Sequence, residues 1–218
     1  MGYFRELPNL QYQSPYTSRI SSSTYVTAKN IFRRMKIRDD LKNIFSVFNK
    51  YEIDDGDRPD TVARDLYGKS NLDWVVLITA NIINVRDEWP LSDKEVYDYT
   101  VSKYGLTEIN NVKQYETRQI KNSRGVVVLR SGQIVDSDFT INYYDGKNIT
   151  TSTSETSRAI SNYEYEVREN QKKRTIDVLR SEYLQQFLND IRKEMTYKRS
   201  SQFVNDKLIK TENTRVTN

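Results

Sequence analysis

The 218-residue sequence contains neither cysteine nor histidine. Their absence excludes disulfide bonds, cysteine nucleophiles, serine–histidine relays, and the nitrogen and sulfur ligands that zinc, copper and haem sites generally need. Glycine and proline are scarce, at seven and four residues, and there is no glycine-rich loop of the type that cradles phosphate. Any catalysis would therefore depend on carboxylates, lysine, tyrosine or a metal ion held by oxygen ligands.

Long apolar runs are also missing. No stretch reaches the roughly eighteen apolar residues of a membrane-spanning helix, and the N-terminal MGYFRELPN lacks the apolar core of a signal peptide. The sequence therefore predicts a soluble, unexported protein without a membrane partner.

Charged residues and tyrosine are abundant instead. Charged residues make up 29% of the chain and hydrophobic residues only 36%, which is low for one compact core and predicts an elongated protein that wraps around partners. Sixteen tyrosines are present. Tyrosine buries a large apolar ring while its hydroxyl stays in water, a combination that protein interfaces favour.

The positive charge is concentrated near the N-terminus. Residues 1–43 hold eight Lys or Arg against three acidic residues, a net of +5, which leaves the other 175 residues at −1. A basic arm can bind a phosphate backbone, but this one has no long Lys/Arg block and no Arg-Gly repeats. An acidic protein surface is therefore the favoured partner, and no nucleic-acid partner is expected.

Hydrophobic periodicity predicts an α+β fold. Alternation over residues 44–53 indicates a strand, and residues 106–160 include a predicted hairpin over 126–135. Two amphipathic helices are predicted within residues 57–81. Asp57 is the predicted N-cap of the first helix, and Gly68 is its predicted end. A third begins at the capping box of Ser92.

Residues from 162 onwards are predicted to form an extended segment, then a helix and then a disordered tail. From Asn162 the sequence is highly charged, which indicates an extended segment, and Ser181 then caps an amphipathic helix. Residues after Lys198 are polar and are predicted to be disordered until a partner binds.

Residues 51–81, YEIDDGDRPDTVARDLYGKSNLDWVVLITAN, run from a strand through an acidic glycine turn into two helices. This order resembles a LysM module, which consists of a strand, two helices and a second strand. The resemblance implies a small LysM-like domain with a possible groove for N-acetylglucosamine chains between Asp55–Pro59 and Asn81–Asn84. A peptidoglycan-binding accessory protein is therefore the alternative function, although Arg58 and Pro59 stand where a LysM module has Thr and Leu.

Two acidic features are candidate sites of chemistry. The aspartates between residues 54 and 60 do not fit the ligand spacing of an EF-hand loop. Glu88 stands beside Trp89, as a glycosidase acid in an apolar pocket could, but the thirty acidic residues make such a pairing unspecific.

Two separated blocks agree in order and spacing with one known family. The first is RPDTVARDLYGKSNLDWVVLITANI (58–82) with its lead-in AKNIFRR (28–34), and the second is NYEYEVRENQKKRTIDVLRSEYLQQFLNDIRKEM (162–195). They resemble the gene 53 baseplate wedge proteins of T4-like contractile-tailed phages. The resemblance implies a non-enzymatic structural protein of the virion, without cofactors, that joins neighbouring wedges around the hub. It also implies assembly in the host cytoplasm.

The same resemblance implies partners and a domain plan. Expected partners are the wedge core proteins, the sheath-initiating wedge protein and neighbouring wedges, with six copies per baseplate. Four segments are predicted: an extended basic N-terminal arm (1–43), the LysM-like domain with the following helix (44–105), a β-hairpin region (106–160), and an extended segment, amphipathic helix and polar tail (161–218).

Large aromatic residues and the C-terminal helix are the predicted partner contacts, because aromatic side chains dominate the energetics of interfaces. Packing in the core of the chain is the alternative for all of them. The predicted contact residues are Tyr67, Trp74, Trp89, Leu184, Phe187, Leu188 and Ile191.

Overall fold

The computed structural model describes residues 2–13, 25–37, 47–144, 146, 148–152 and 156–211. The predicted start of a strand at residue 44 and the tail beyond residue 211 lie outside these residues. The fold is α+β, as predicted. The α-helices among the described residues are α1 (Tyr3–Glu6), α2 (Pro59–Tyr67), α3 (Asp73–Thr79), α4 (Val85–Glu88), α5 (Asp93–Tyr104), α6 (Asn162–Arg174) and α7 (Leu184–Glu194). The strands are β1 (Asn9–Gln13), β2 (Tyr25–Lys29), β3 (Phe48–Glu52), β4 (Val112–Thr117), β5 (Ile120–Lys121), β6 (Val127–Leu129), β7 (Ile134–Val135), β8 (Ile141–Tyr144), β9 (Ile149–Ser152), β10 (Ser157–Ser161), β11 (Thr175–Leu179), β12 (Phe203–Asn205) and β13 (Leu208–Lys210).

The chain divides into two compact units. Unit 1 comprises Met1–Trp89 and Thr175–Asn218, and unit 2 comprises Pro90–Arg174. Unit 2 is therefore inserted in the sequence of unit 1. The four-segment division predicted from the sequence is a different partition and stays a prediction.

Unit 1 contains a strand, two helices and a second strand. β3 is followed by α2 and α3, and the strand that pairs with β3 in antiparallel orientation is β11, from Thr175↔Glu52 to Leu179↔Phe48. Residues 80–92 contain the short helix α4 and no strand. The strand that pairs with β3 therefore follows the inserted unit in the sequence.

Helix α2 ends where its sequence predicts. Gly68 adopts φ 71°, and its N–H donates to the carbonyl of Arg64, which is the left-handed C-cap that glycine permits without strain. The predicted cap at its start is wrong, because the N-cap is Arg58 and no side chain caps the helix. Ser181 is likewise not a cap, since residues 181–183 form a 3-10 turn and Tyr183 precedes α7.

The described part of residues 1–43 contradicts the expectation of an extended arm. β1 pairs in parallel with β13 and antiparallel with β2, within a four-stranded sheet of order β12-β13-β1-β2. Leu7 is buried in the core of unit 1, and Glu6 forms a two-point ion pair with Arg192 of α7 at 2.9 and 3.2 Å. The predicted disorder after residue 198 is also wrong for residues 203–210, which form β12 and β13.

The core of unit 1 lies between α2, α3, α7 and the β3–β11 pair. Its fully buried members include Val62, Val75 and Val76 of the two helices, Val178 of β11 and Ile191 of α7. The apolar faces of α2 and α3 are thus covered by other elements of the same unit, and α7 contributes Ile191 to the same core.

Unit 2 contains α5, α6 and three small sheets. β4 lies between β10 and β7, while β5 pairs with β6 and β8 pairs with β9. The predicted hairpin over residues 126–135 is wrong, because β6 and β7 pair with different strands. The capping box at Ser92 and Glu95 is confirmed at the start of α5.

Residues 162–174 form helix α6 and not the predicted extended segment. Three polar residues of this helix, Asn162, Glu166 and Asn170, are buried and four positions apart, so they share one face. The buried face of α6 is formed by polar side chains, so the sequence shows no apolar periodicity that would predict this helix.

Asn170 binds the first residues of unit 2 through its side-chain amide. Its oxygen accepts from the N–H of Leu91 at 2.7 Å, and its nitrogen donates to the carbonyl of Leu91 at 2.8 Å. The amide thus satisfies both backbone groups of one residue, as a neighbouring strand would.

Replacing Ile191 by alanine should lower the free energy of unfolding of unit 1 by about 2–5 kcal/mol, because it leaves a cavity in the core. Ile31→Ala is the matched control in the same unit, where the side chain is 63% exposed, and should change it by at most about 0.5 kcal/mol. Tryptophan fluorescence during urea denaturation reports on this unit, because Trp74 and Trp89 both lie in its core. Equal losses in the two variants would contradict the packing of α7.

Replacing Asn170 by leucine should destabilise unit 2 by roughly 1–3 kcal/mol, because the N–H and carbonyl of Leu91 lose two partly buried hydrogen bonds. Asn111→Leu, at an exposed residue of the same unit, is the control. Circular dichroism at 222 nm during urea denaturation measures the change. A stability of Asn170→Leu equal to that of the control would show that the amide does not hold Leu91.

Candidate interaction surfaces

The structure brings all seven predicted contact residues together around the core of unit 1. Trp74, Trp89 and Ile191 are buried, with 5%, 6% and 1% of their surfaces exposed. Tyr67, Leu184, Phe187 and Leu188 are half-buried and pack against the same core. Only this second group leaves substantial surface for a partner, and a role in partner binding stays a prediction.

Hydrogen bonds fix two of the three aromatic residues. The Tyr67 hydroxyl donates to the carbonyl of Leu179 in β11 at 2.9 Å, and burial raises its pKa well above the usual tyrosine value. The Trp89 indole N–H donates to the carbonyl of Asp57 at 2.8 Å. Trp74 packs its ring 5.7 Å from that of Tyr3. These side chains therefore hold the strand–helix–helix–strand arrangement together.

Helix α7 borders an open cavity of about 760 Å³ in unit 1. The cavity is lined on one side by Phe187, Ile191 and Met195 and on another by residues 33–37. At the C-terminus of α7, the guanidinium of Arg33 donates to the carbonyls of Met195 and Thr196 at 3.3 and 3.1 Å. A positive charge at this end of a helix interacts favourably with the helix dipole.

Unit 2 carries a buried carboxylate among aromatic and basic side chains. Glu166 Oε1 accepts from Lys103 Nζ at 2.8 Å and from the Tyr104 hydroxyl at 2.7 Å. Burial alone would raise the pKa of Glu166, but these two bonds and the lysine charge outweigh it and lower the pKa below the usual glutamate value. The Lys103 ammonium also lies 5.3 Å from the centre of the Tyr99 ring. The charged carboxylate of Glu166 therefore stabilises the contact between α5 and α6.

Several large apolar residues outside the predicted contact set are exposed. In unit 1, Phe32 is 87% exposed, beside Ile31, and in unit 2, Ile149 is 78% exposed. Phe32 and Ile31 stand in a charged stretch and Ile149 in a polar one, which is the signal that could have singled them out.

The acidic features weighed as catalytic or metal sites have structural partners or lie in solvent. Glu88 is exposed and accepts from the backbone N–H groups of Ile83 and Asn84, at 2.6 and 3.3 Å. Within the described ranges, no group of three or more acidic side chains could hold a metal ion. Nor does any helix in that part of the chain combine the length and the apolar character needed to span a bilayer.

A comparison with protein families matches residues 9–194 to base plate wedge protein 53. The chain belongs to this family. The match covers most of unit 1 and all of unit 2, and it contains the sequence blocks that pointed to the family except for Met195. No curated protein sequence matches the chain.

Family membership gives the chain a structural role in the baseplate of a phage tail and a location in the virion. It also implies contact with other baseplate proteins. A non-enzymatic function fits this family.

The low pKa of Glu166 makes unit 2 sensitive to acid. A group with a depressed pKa stabilises the folded state above its unfolded value, about 4.3, and this contribution is lost as the pH falls through the folded value. The stability difference between the native chain and Glu166→Gln should therefore be largest above about pH 5 and shrink below about pH 4. Urea denaturation followed by circular dichroism between pH 3 and 6 measures it.

Glu108→Gln, an exposed glutamate of the same unit, provides the control for this titration. Its stability should follow that of the native chain at every pH. A pH-independent difference between Glu166→Gln and the native chain would show that the carboxylate charge does not stabilise the α5–α6 contact.

Proposed function

We propose that the chain joins neighbouring baseplate wedges around the central hub by binding several baseplate proteins at once. Its partners in this proposal are the wedge core proteins, the sheath-initiating wedge protein and adjacent wedges, with six copies per baseplate assembled in the host cytoplasm. The observation that carries the proposal is the family match, which extends over both units. Two units provide separate surfaces, as a protein that connects subunits requires.

The exposed apolar residues support binding to proteins. Each unit leaves large apolar side chains in water, Phe32 in unit 1 and Ile149 in unit 2. In unit 1, the half-buried side chains Leu184, Phe187 and Leu188 of α7 are further contacts in the proposal. Apolar side chains surrounded by polar residues are typical of protein interfaces.

The strand–helix–helix–strand part of unit 1 corresponds, in this proposal, to the LysM-like domain, used as a scaffold for proteins. Peptidoglycan binding is the second candidate function. Two features count against it: Arg58 is in the turn where a LysM module has threonine, and the backbone carbonyl of Asp57 in that turn already accepts a hydrogen bond from Trp89. Sedimentation with insoluble peptidoglycan separates the candidates, because saturable binding would favour the second.

Wedge joining is tested by assembling baseplates from purified components with and without the chain. With the chain, wedges should associate into closed rings, and without it they should remain separate; sedimentation and electron microscopy measure the difference. Rings that form equally well in its absence would overturn the proposal.

Hydrogen–deuterium exchange in the same assembly tests the contact on α7. Peptides covering residues 184–194 should exchange more slowly in the baseplate than in the free chain, because a partner covers the half-buried side of the helix. Peptides covering 73–79 are the control, since the core already protects α3 in the free chain. Unchanged exchange over α7 would remove this helix from the interface.

A further inference from the structure

Among the described residues, the two-stranded ribbon of β8 and β9 in unit 2 has open edges. Its register runs from Ile141↔Ser152 to Tyr144↔Ile149, and within the part of the chain that the structure describes, neither strand pairs with a third one. A two-stranded ribbon on its own is marginally stable in water. An additional strand would therefore stabilise it.

The end of the ribbon carries an apolar pair on one face. Tyr144 and Ile149 are directly opposite each other, so their side chains leave the same face, and they are 62% and 78% exposed. Ile149 is the most exposed large apolar side chain among the described residues of unit 2. A single exposed isoleucine needs no explanation, but a cross-strand pair forms a contiguous apolar surface.

Hydrogen bonds are present at both ends of the ribbon. The Tyr144 hydroxyl donates to the carbonyl of Gly146 at 3.0 Å, which fixes the phenol over the turn. Gly146 adopts φ 93° and packs so closely on Arg124 that a Cβ there would lie 3.1 Å from the guanidinium Nε. At the other end of the ribbon, the Thr156 hydroxyl donates to the carbonyl of Phe139. A fixed surface loses less conformational entropy on binding than a mobile one.

The ribbon lacks the features by which proteins protect open strand edges. Such edges usually carry lysine, proline or a bulge. Strands β8 (INYY) and β9 (ITTS) contain no charged residue and no proline, and their register shows no shift. The β-branched residues favour strand pairing, and the lack of charge favours an uncharged polypeptide partner over nucleic acid or a strongly charged protein.

We propose that the open edge of β9 binds an extended, uncharged segment of another baseplate protein as a third strand, with an apolar side chain of that segment packed on Tyr144 and Ile149. The proposal rests on the proposed function, because it names one surface through which the chain contacts its partners. Main-chain hydrogen bonds supply affinity in this mode of recognition, and the apolar pair supplies selectivity.

Ile149→Lys tests the proposal in the baseplate assembly. It places a charge on the apolar pair and should lower the incorporation of the chain into baseplates at least tenfold, without a change in its urea denaturation. Ile134→Lys is the matched control, since Ile134 is 72% exposed and lies in β7 of the same unit; it should be incorporated normally. Normal incorporation of Ile149→Lys would overturn the proposal, whereas failure of the native chain to assemble would overturn the proposed function.

A photo-crosslinking amino acid in place of Tyr144 identifies what covers the ribbon in the assembled baseplate. A cross-link to an extended, uncharged segment of a different baseplate protein is the expected result. Cross-links only to a second copy of the chain, or only within one chain, would overturn the proposal.

Discussion

Unit 1 depends on the antiparallel pairing of β3 with β11. Helices α2 and α3 have apolar faces that must be covered, and β11 contributes Ile176, Val178 and Leu179 to the core that covers them. The entropy cost of closing a loop grows only with the logarithm of its length. Burial of this core can therefore offset the cost of joining strands that a whole second unit separates in the sequence.

Unit 2 is stabilised in a different way. Alongside Val96, Ile109, Leu129 and Ile160, its buried side chains include several polar ones, such as Thr100, whose hydroxyl donates to the carbonyl of Val96 at 2.7 Å. Buried polar groups are costly when unpaired and directional when paired. A unit of this kind gains less from apolar burial, and its geometry is specified by hydrogen bonds such as those of Asn170 and Glu166.

The sequence predicts local features of this fold better than long-range ones. Gly68 and the capping box at Ser92 act within a few residues of themselves, so their roles were predictable. The pairing of β3 with β11 was not, because alternation reveals a strand but not its partner. Helix α6 was missed because its buried face is polar, and β1 was missed because the sheet that contains it draws its strands from both ends of the chain. The sequence also does not show whether the predicted contact residues lie in a core or in an interface, because a large aromatic side chain suits both equally well.

Exposure alone does not distinguish the apolar residues that bind partners from those that do not, because folded proteins leave many apolar atoms in water. Phe32 and Ile149 differ in this respect. Nothing in the described residues places a second exposed apolar side chain opposite Phe32 on a paired strand, whereas Ile149 faces Tyr144 across a ribbon whose turn is fixed by a hydrogen bond. A partner that binds the ribbon gains backbone hydrogen bonds and apolar burial together, and little further ordering opposes them. Because it offers both kinds of contact, the ribbon is a stronger basis for recognition than Phe32, although Phe32 is more exposed.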